Sequence, residues 1–496
     1  MKRLTLIAFA AALSACASMA PQYERPAAPI GQDWPEGPAA SAAAAAPAGA
    51  DAAATAGADM PWREFVADDR LERLIDVALG HNRDLRIAAL NIERARALYQ
   101  IQDAGRFPTI DASGSGNHQR VPADLSMSGQ AATTHTYGAT IGIASYELDL
   151  FGRVRSLRDA ALEQYFATGE ARRSVAISLI AEVSRAWVAL AADQARLELV
   201  RETLANREAA HKLVARSHEL GVASALDLRQ SQTTVESARA DLARFERLLA
   251  QDRNMLALLV GAPVPAELLP GPDLDQVVAV TRLAAGLPSE VLQRRPDIAQ
   301  AERLLRAANA DIGAARAAFY PSIGLTAGIG TASSELSGLF DGGSGTWNFV
   351  PTIRLPIFDG GRNRALLEVA EVDRDIAIAR YEQSIQAAFR EVADALVQQG
   401  TINDEIAAQT ALLEATAEAN RLADLRFRQG VDSYLAVLDA QRSLYAAQQG
   451  LIELRAARSA NLVTLYRALG GGWSAADETA GTSIPAGLES SAANRR

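Results

Sequence analysis

The chain has one cysteine in 496 residues, Cys16, so no internal disulfide can form. Its only histidines are His81, His118, His135, His211 and His218, and none belongs to a His-Glu-x-x-His zinc motif. P-loop and Gly-x-Ser-x-Gly signatures are missing too. His211 and His218, seven apart on a long helical pattern, read as solvated helix positions, and Gly114, Gly116 and the glycines of 342–345 as strand and loop glycines. Basic residues do not dominate: 49 Lys and Arg face 59 Asp and Glu, a net charge of −10, with no basic stripe for a nucleic acid to follow. The apolar run at the N-terminus, Leu4 to Leu13, is shorter than the about 20 residues a spanning helix needs. These absences leave no enzyme class, metal or soluble cofactor to expect, and no nucleic-acid partner.

What the chain does contain, it contains twice. Gly221-Val222-Ala223-Ser224-Ala225-Leu226-Asp227-Leu228 returns as Gly430-Val431-Asp432-Ser433-Tyr434-Leu435-Ala436-Val437. Phe107-Pro108-Thr109-Ile110 answers to Tyr320-Pro321-Ser322-Ile323, and Phe151-Gly152-Arg153 to Phe358-Asp359-Gly360. The offset is far longer than a solenoid repeat. A body duplicated on this scale suits one pseudo-symmetric assembly better than a catalytic site, which rarely needs its whole scaffold twice.

The ends are processing and tether. Lys2 and Arg3, the short apolar run and Leu13-Ser14-Ala15-Cys16 form a secretory signal over 1–15, with Cys16 where a lipoprotein signal places its acylated residue. Two or more acyl chains make a stable anchor, and the absence of Asp after Cys16 favours onward passage to the outer membrane. Residues 38–59 are almost wholly Ala, Gly, Pro and Ser, so 16–61 reads as a lipid-anchored segment and linker. The body divides into repeats at 62–270 and 271–473, and 474–496 reads as a disordered tail.

Within the body, Leu228, Val235, Leu242, Leu249 and Leu256 recur every seven residues, as do Val183, Leu190, Leu197 and Leu204. That spacing puts one apolar seam along a helix and favours coiled-coil pairing. No proline interrupts Arg153 to Leu220, which predicts one helix of about 65 residues, about 100 Å long. The pattern returns from Arg362 to Gln429. Helix periodicity alone also suits a structural coiled-coil lipoprotein. Short alternating segments argue against that rod: Ser322–Gly330, Trp347–Ile357 and Thr136–Ile143 each set apolar residues against small or polar ones, while Thr109–Asn117 alternates poorly. Each has about the length of a tilted transmembrane strand. Phe107, Tyr137, Tyr146, Tyr320, Trp347 and Phe358 flank them where interfacial aromatics belong. A sheet in lipid must close, and four strands cannot close alone. Several chains must therefore share one barrel; a dimer, trimer or tetramer each satisfies this argument.

Further segments resemble a known family, the outer-membrane factors (TolC-like efflux channels), in their NodT-like lipoprotein branch. They are Pro21-Gln22-Tyr23-Glu24-Arg25-Pro26, Arg294-Arg295-Pro296-Asp297-Ile298, Tyr146 through Arg153 and Leu355 through Arg362. The resemblance covers Cys16 to Gly472. It implies an α+β membrane protein: a homotrimer with a shared 12-stranded transmembrane β-barrel, four strands per protomer, and a long periplasmic α-helical barrel. It also implies a periplasmic adaptor, an inner-membrane pump, usually proton-driven, and passive export of drugs or other small molecules through the tube. Protein export of the type I kind is the alternative cargo.

The resemblance places the moving parts at the helix tips. Gly221, Val222, Ala223, Ser224, Gly430, Val431 and Ser433 become adaptor contacts. Leu435 resembles the apolar constriction, and Asp439 and Arg442 the charged gate pair, all on one helical face by i, i+3, i+4 spacing. Without the resemblance, Asp439 and Arg442 are an ordinary exposed pair worth tenths of a kcal/mol. Phe427 stands where relatives often carry Tyr, and Asp432 where some carry Arg; Asp227 is the expected first-repeat partner. One expectation concerns the anchor alone. Cys16→Ala should abolish incorporation of labelled palmitate, and a variant that still carries the label would overturn the lipid assignment.

Overall fold

The computed structural model describes residues 18–31, 33–35, 60–127, 129–274, 277–280, 282–283 and 295–471. The signal peptide, Cys16, the Ala-rich linker and the tail from 474 lie outside the described residues. In chain order the elements are α1 (Trp62–Phe65), α2 (Asp69–His81), α3 (Arg83–Ala104), β1 (Asp111–Val121), β2 (Ala132–Leu148), α4 (Arg153–Glu219) and α5 (Ala225–Val260). There follow α6 (Pro296–Ala317), β3 (Ser322–Ser333), β4 (Gly345–Arg354), α7 (Arg362–Arg428) and α8 (Tyr434–Ala468). The duplication is visible in lengths: α4 and α7 each have 67 residues, α5 has 36 and α8 has 35.

Backbone contacts divide the chain into two compact units that cut across the repeats. Among the described residues, one comprises those of 18–27, 91–169 and 300–382, and the other those of 28–90, 170–299 and 383–471. Both repeats feed both units, so the repeat boundary is a feature of the sequence and not of the packing.

The first unit is built around a four-stranded antiparallel sheet in the order β1-β2-β3-β4. Its register separates two chemistries. Ala112, Ile141, Ile329 and Trp347 form one row across all four strands, and Ile143, Ala327 and Phe349 lie on the same face. Ile141, Ile329, Trp347 and Phe349 are exposed. The opposite face carries the rows Asp111-Gly142-Gly328-Asn348 and Ser113-Thr140-Gly330-Thr346. One face is apolar and unburied, the other small and polar, as in a membrane barrel seen from outside and from its lumen. β1 forms despite its poor alternation because the register with β2 supplies what its own side chains do not. β4 stops at Arg354 rather than reaching Ile357, because its partner β3 begins at Ser322, the residue opposite Arg354.

Two glycines are fixed by contact. A Cβ on Gly142 would lie 2.3 Å from the Ala327 carbonyl oxygen, and one on Gly330 would lie 2.2 Å from that of Ala139. Only the bare backbone lets β2 and β3 approach this closely.

The strand-to-helix junctions share one device. Asp149 accepts the Arg155 backbone N–H at the start of α4 (2.8 Å), and Asp359 accepts those of Gly361 and Asn363 at the start of α7, both at 2.9 Å. A carboxylate there satisfies orphan donors and suits the positive end of the helix dipole. The same bonds hold the Asp359 carboxyl below its ordinary value. Phe151 stacks on Tyr320 (4.9 Å), and Arg153 pairs with Glu147. The aspartate is what the two junction motifs share; the stack and the ion pair belong to the first alone.

The segment 19–25 is strapped along α6. Glu302 accepts two hydrogen bonds from Arg25 Nη2, at 2.7 and 3.0 Å, and one from the Tyr23 hydroxyl at 3.2 Å. Arg306 lies 4.7 Å from the centre of the Tyr23 ring, and Asn309 Nδ2 donates to the Pro21 carbonyl at 2.8 Å. A Cβ on Gly313 would come within 2.7 Å of the Ala20 nitrogen. The motif Pro21-Gln22-Tyr23-Glu24-Arg25-Pro26 is thus a docking sequence for one helix.

The second unit holds the main apolar core, where Trp62, Phe65, Leu71, Leu74 and Ile75 pack on Val183, Trp187, Leu190, Leu256, Val260, Leu396, Leu465 and Tyr466. Phe65 and Tyr466 stack at 4.1 Å. The most apolar 18-residue window of α4 is 67% buried, so it serves the core of the fold rather than a bilayer. Val183, Leu190 and Leu197, and Val235, Leu249 and Leu256, are buried as their heptad spacing predicts. Buried Arg295 bridges Asp297 (2.7 Å), Glu391 (3.0 Å) and the Ala468 carbonyl (2.9 Å), which accounts for the Arg-Arg-Pro-Asp-Ile motif as a paired, satisfied cation.

Asp252 on α5 sits against Asp193 of α4, and its Oδ2 is buried without a hydrogen-bond partner. Burial first, then the Asp193 charge, pushes its carboxyl up to about 6. A carboxyl raised on folding stabilises the protein fully below its unfolded value and loses that contribution as pH rises through about 6. Asp252→Asn should therefore remove this pH dependence and raise the thermal midpoint by about 1 °C at pH 7.5; a lowered midpoint there would overturn the reading. In the sheet, Gly142→Val should abolish the assembled oligomer on a non-heated SDS gel. Gly114→Ala, which meets open space, should leave it intact.

Candidate functional site

The two helix–helix turns share one backbone. α4 ends with Gly221 at φ 76° and the Val222 N–H reaching back to the Ser217 carbonyl at 2.9 Å. α7 ends with Gly430 at φ 73° and the Val431 N–H reaching back to the Arg426 carbonyl, also at 2.9 Å. Both are glycine C-caps of the left-handed kind, needing a residue without Cβ strain. The repeated Gly-Val is therefore a turn requirement first. Val222, Val431 and Gly221 are exposed.

The side chains that fasten the two turns differ. In the first, Ser224 and Asp227 form a reciprocal capping box: the Ser224 hydroxyl accepts from the Asp227 N–H at 3.1 Å, and Asp227 Oδ2 accepts from the Ser224 N–H at 3.0 Å. His218 Nδ1 closes the same turn on the Ala223 carbonyl (2.9 Å). In the second, Ser433 makes no side-chain cap, and Arg426 and Asp432 span the turn as a two-contact ion pair at 2.5 and 3.0 Å. That pair holds the Asp432 carboxyl below its ordinary value. Asp432 faces Arg426 within its own turn, and Asp227 is engaged by Ser224.

Along α8 the first two turns present two faces. Tyr434, Val437 and Leu438 are buried in a small apolar cluster with Val214 of α4, against which Phe427, Ala223 and Ala423 pack. Phe427 and Tyr434 rings lie 5.2 Å apart. Phe427 thus ties the second turn to α4 by apolar contact, without the hydroxyl a Tyr would bring. The other face carries Leu435, Asp439 and Arg442, all exposed, with Arg442 Nη1 donating to Asp439 Oδ1 at 3.4 Å. The expected gate trio does share a face, and that face points away from the packed cluster. At this distance and exposure the ion pair itself adds little stability.

Behind this face lies a polar tie that sequence reasoning missed. The Tyr445 hydroxyl of α8 donates to Asp241 Oδ2 of α5 at 3.2 Å. Buried Arg207 of α4 sits 5.2 Å from the centre of the Tyr445 ring and donates to the Thr234 carbonyl at 3.0 Å. Burial, with the Asp241 charge, pushes the Tyr445 hydroxyl up to about 12. Burial pulls the Arg207 guanidinium down, and the charge of Arg442 acts in the same direction. Nothing in the spacing of 207, 241 and 445 announces this group, because its members come from three helices. His211 Nδ1 and the Ser231 hydroxyl share a hydrogen bond across the first helix pair (2.7 Å), so His211 and His218 act as local fasteners. Among the described residues no group of three His, Cys, Asp or Glu side chains comes together as a metal site.

Known proteins align with this architecture along nearly the whole chain. The model of the outer membrane efflux protein family matches residues 74–262 and 287–471, both repeats. The probable efflux pump outer membrane protein TtgC of Pseudomonas putida is 48% identical over 470 residues, 95% of each chain. A membrane protein of Pseudomonas aeruginosa superposes with a TM-score of 0.84 at 46% identity, over 92% of this chain and 100% of its own. The open-state MtrE outer membrane channel of Neisseria gonorrhoeae gives 0.81 at 40% identity, over 92% and 98%. With paired 67-residue helices, a four-stranded sheet of one apolar and one polar face, and both repeats matched, the chain belongs to the outer membrane efflux protein family.

Proposed function

We propose that this protein is the passive exit duct of an efflux system, a homotrimer whose 12 strands, four from each chain, close one barrel in the outer membrane. The observation that carries the reading is the sheet. Its apolar face is exposed, and its edge strands β1 and β4 each have one ladder partner. In lipid such edges cost several kcal/mol per unsatisfied group. Because the strands alternate in direction and are even in number, β4 of one chain can pair antiparallel with β1 of the next and repeat without a break. Exposed apolar rows on α3 (Ile87, Leu90, Leu98, Ile101) and α7 (Leu366, Val369, Val372, Ile376) also call for neighbouring chains. A structural rod would have no use for the sheet's apolar face.

Cys16, acylated, would anchor the N-terminal strap of each chain in the inner leaflet of the outer membrane. Gly221 to Ser224 and Gly430 to Ser433 would meet a periplasmic adaptor, which joins the duct to an inner-membrane pump, in our reading a proton-driven one. Toluene appears in the names of relatives such as the P. putida toluene efflux pump outer membrane protein, 48% identical over 470 residues. Small organic molecules are accordingly the cargo class we assign.

Opening is controlled at the second turn. Three copies of Leu435 narrow the aperture and three of Asp439 ring it, with Arg442 offsetting their mutual repulsion. The polar tie of Tyr445, Asp241 and Arg207 and the Phe427 cluster hold α7 and α8 against the first helix pair in the resting arrangement. Asp439→Ala should raise single-channel conductance in planar bilayers and sensitise cells to large antibiotics, whereas unchanged conductance would remove Asp439 from the gate. The purified channel should form pores at all; particles that never conduct would return the reading to a structural rod.

A further inference from the structure

Two of the five histidines have no part in the helices or the gate, and the sheet places them side by side. His118 on β1 and His135 on β2 are direct register partners, three rows in from the last pair of the hairpin, Val121 and Ala132. Their Nδ1 atoms are 2.5 Å apart, with ring centroids 4.7 Å apart and planes at 70°. Both residues are exposed. Parity along the strands puts them on the face of Tyr137 and Ile141, and the Tyr137 ring indeed meets His118 edge-on at 5.4 Å.

Two imidazoles aimed nitrogen to nitrogen can share one proton, or they can share a cation. Opposed Cβ atoms in a sheet are held about 4.5–5.5 Å apart, so the backbone fixes both donors without help from a loop. A borderline metal sits about 2.0–2.1 Å from an imidazole nitrogen, and a cis arrangement near 90° then spaces the nitrogens about 2.9 Å apart. Small rotations of the two rings reach that spacing. Hard cations such as Ca²⁺ and Mg²⁺ want oxygen ligands and do not fit this pair.

We infer that His118 and His135 form a two-nitrogen site for a borderline divalent transition-metal ion, which staples β1 to β2 near the hairpin end. No third His, Cys, Asp or Glu joins them among the described residues, so the protein supplies two nitrogen ligands and no more. Cu²⁺ binds more tightly than Ni²⁺ or Zn²⁺, following the general order for nitrogen ligands. The site lies on the sheet and is independent of the gate.

The test is titration of the full-length channel in detergent with Cu²⁺, read by calorimetry and by electron paramagnetic resonance. The expected result is one Cu²⁺ per protomer with hyperfine splitting from two imidazole nitrogens. His118→Gln and His135→Gln should each weaken binding about tenfold or more, and the double variant should lose it, with the heat-resistant oligomer retained in all three. His81→Gln should bind like the native chain. A two-nitrogen signal that survives in the double variant, or single variants that bind undiminished, would overturn the assignment.

Discussion

The backbone of an open sheet cannot leave its hydrogen-bonding groups bare in hydrocarbon, and the rest of this molecule follows from that constraint. Four strands present two edges and one apolar face, and no rearrangement within a single chain removes them. Closure has to come from copies. Once copies surround an axis, the helices that enter and leave the strands must surround it as well. The duplication then makes physical sense, since each repeat supplies one hairpin to the sheet and one pair of long helices.

Local chemistry serves this plan at each junction. The aspartates before α4 and α7 satisfy the first helical N–H groups where the chain turns from strand to helix. Gly142 and Gly330 let β2 and β3 approach at distances no side chain would allow. Glu302 gathers Tyr23 and Arg25 and so fixes the N-terminal strap against α6. Arg295 is buried, and its charge is answered by two carboxylates and a helix C-terminal carbonyl. Each motif that marked the family resemblance contains at least one residue held by such a contact.

The two turns show how a repeat can diverge without changing its backbone. Glycine caps, valines and reach-back hydrogen bonds are the same, while the fasteners are not: a capping box and a histidine in one, an Arg426–Asp432 ion pair in the other. A capping box stabilises one helix start and asks nothing of its surroundings. An exposed ion pair is weak, salt-sensitive and open to exchange with a partner's charges. The asymmetry puts the more easily exchanged fastener on the turn that carries the proposed gate.

The sequence determined much of this by period and punctuation. A proline-free stretch with a single glycine specifies a helix of 67 residues almost to the residue, because nothing in it can stop the ladder. Alternation located three strands, and the Gly-Val turns could be read directly. The i, i+3, i+4 spacing put Leu435, Asp439 and Arg442 on one face. Contacts between distant elements were decided only by the tertiary structure. β1 has too few large side chains to announce itself and becomes a strand by pairing with β2. The capping role of Asp227, whose carboxylate accepts from the Ser224 N–H, shows only in the folded turn. The tie of Arg207, Asp241 and Tyr445 and the pairing of His118 with His135 join residues from separate helices or strands. Local spacing reports on what one element can do by itself, whereas which elements meet is settled by packing and register, and those belong to the folded chain.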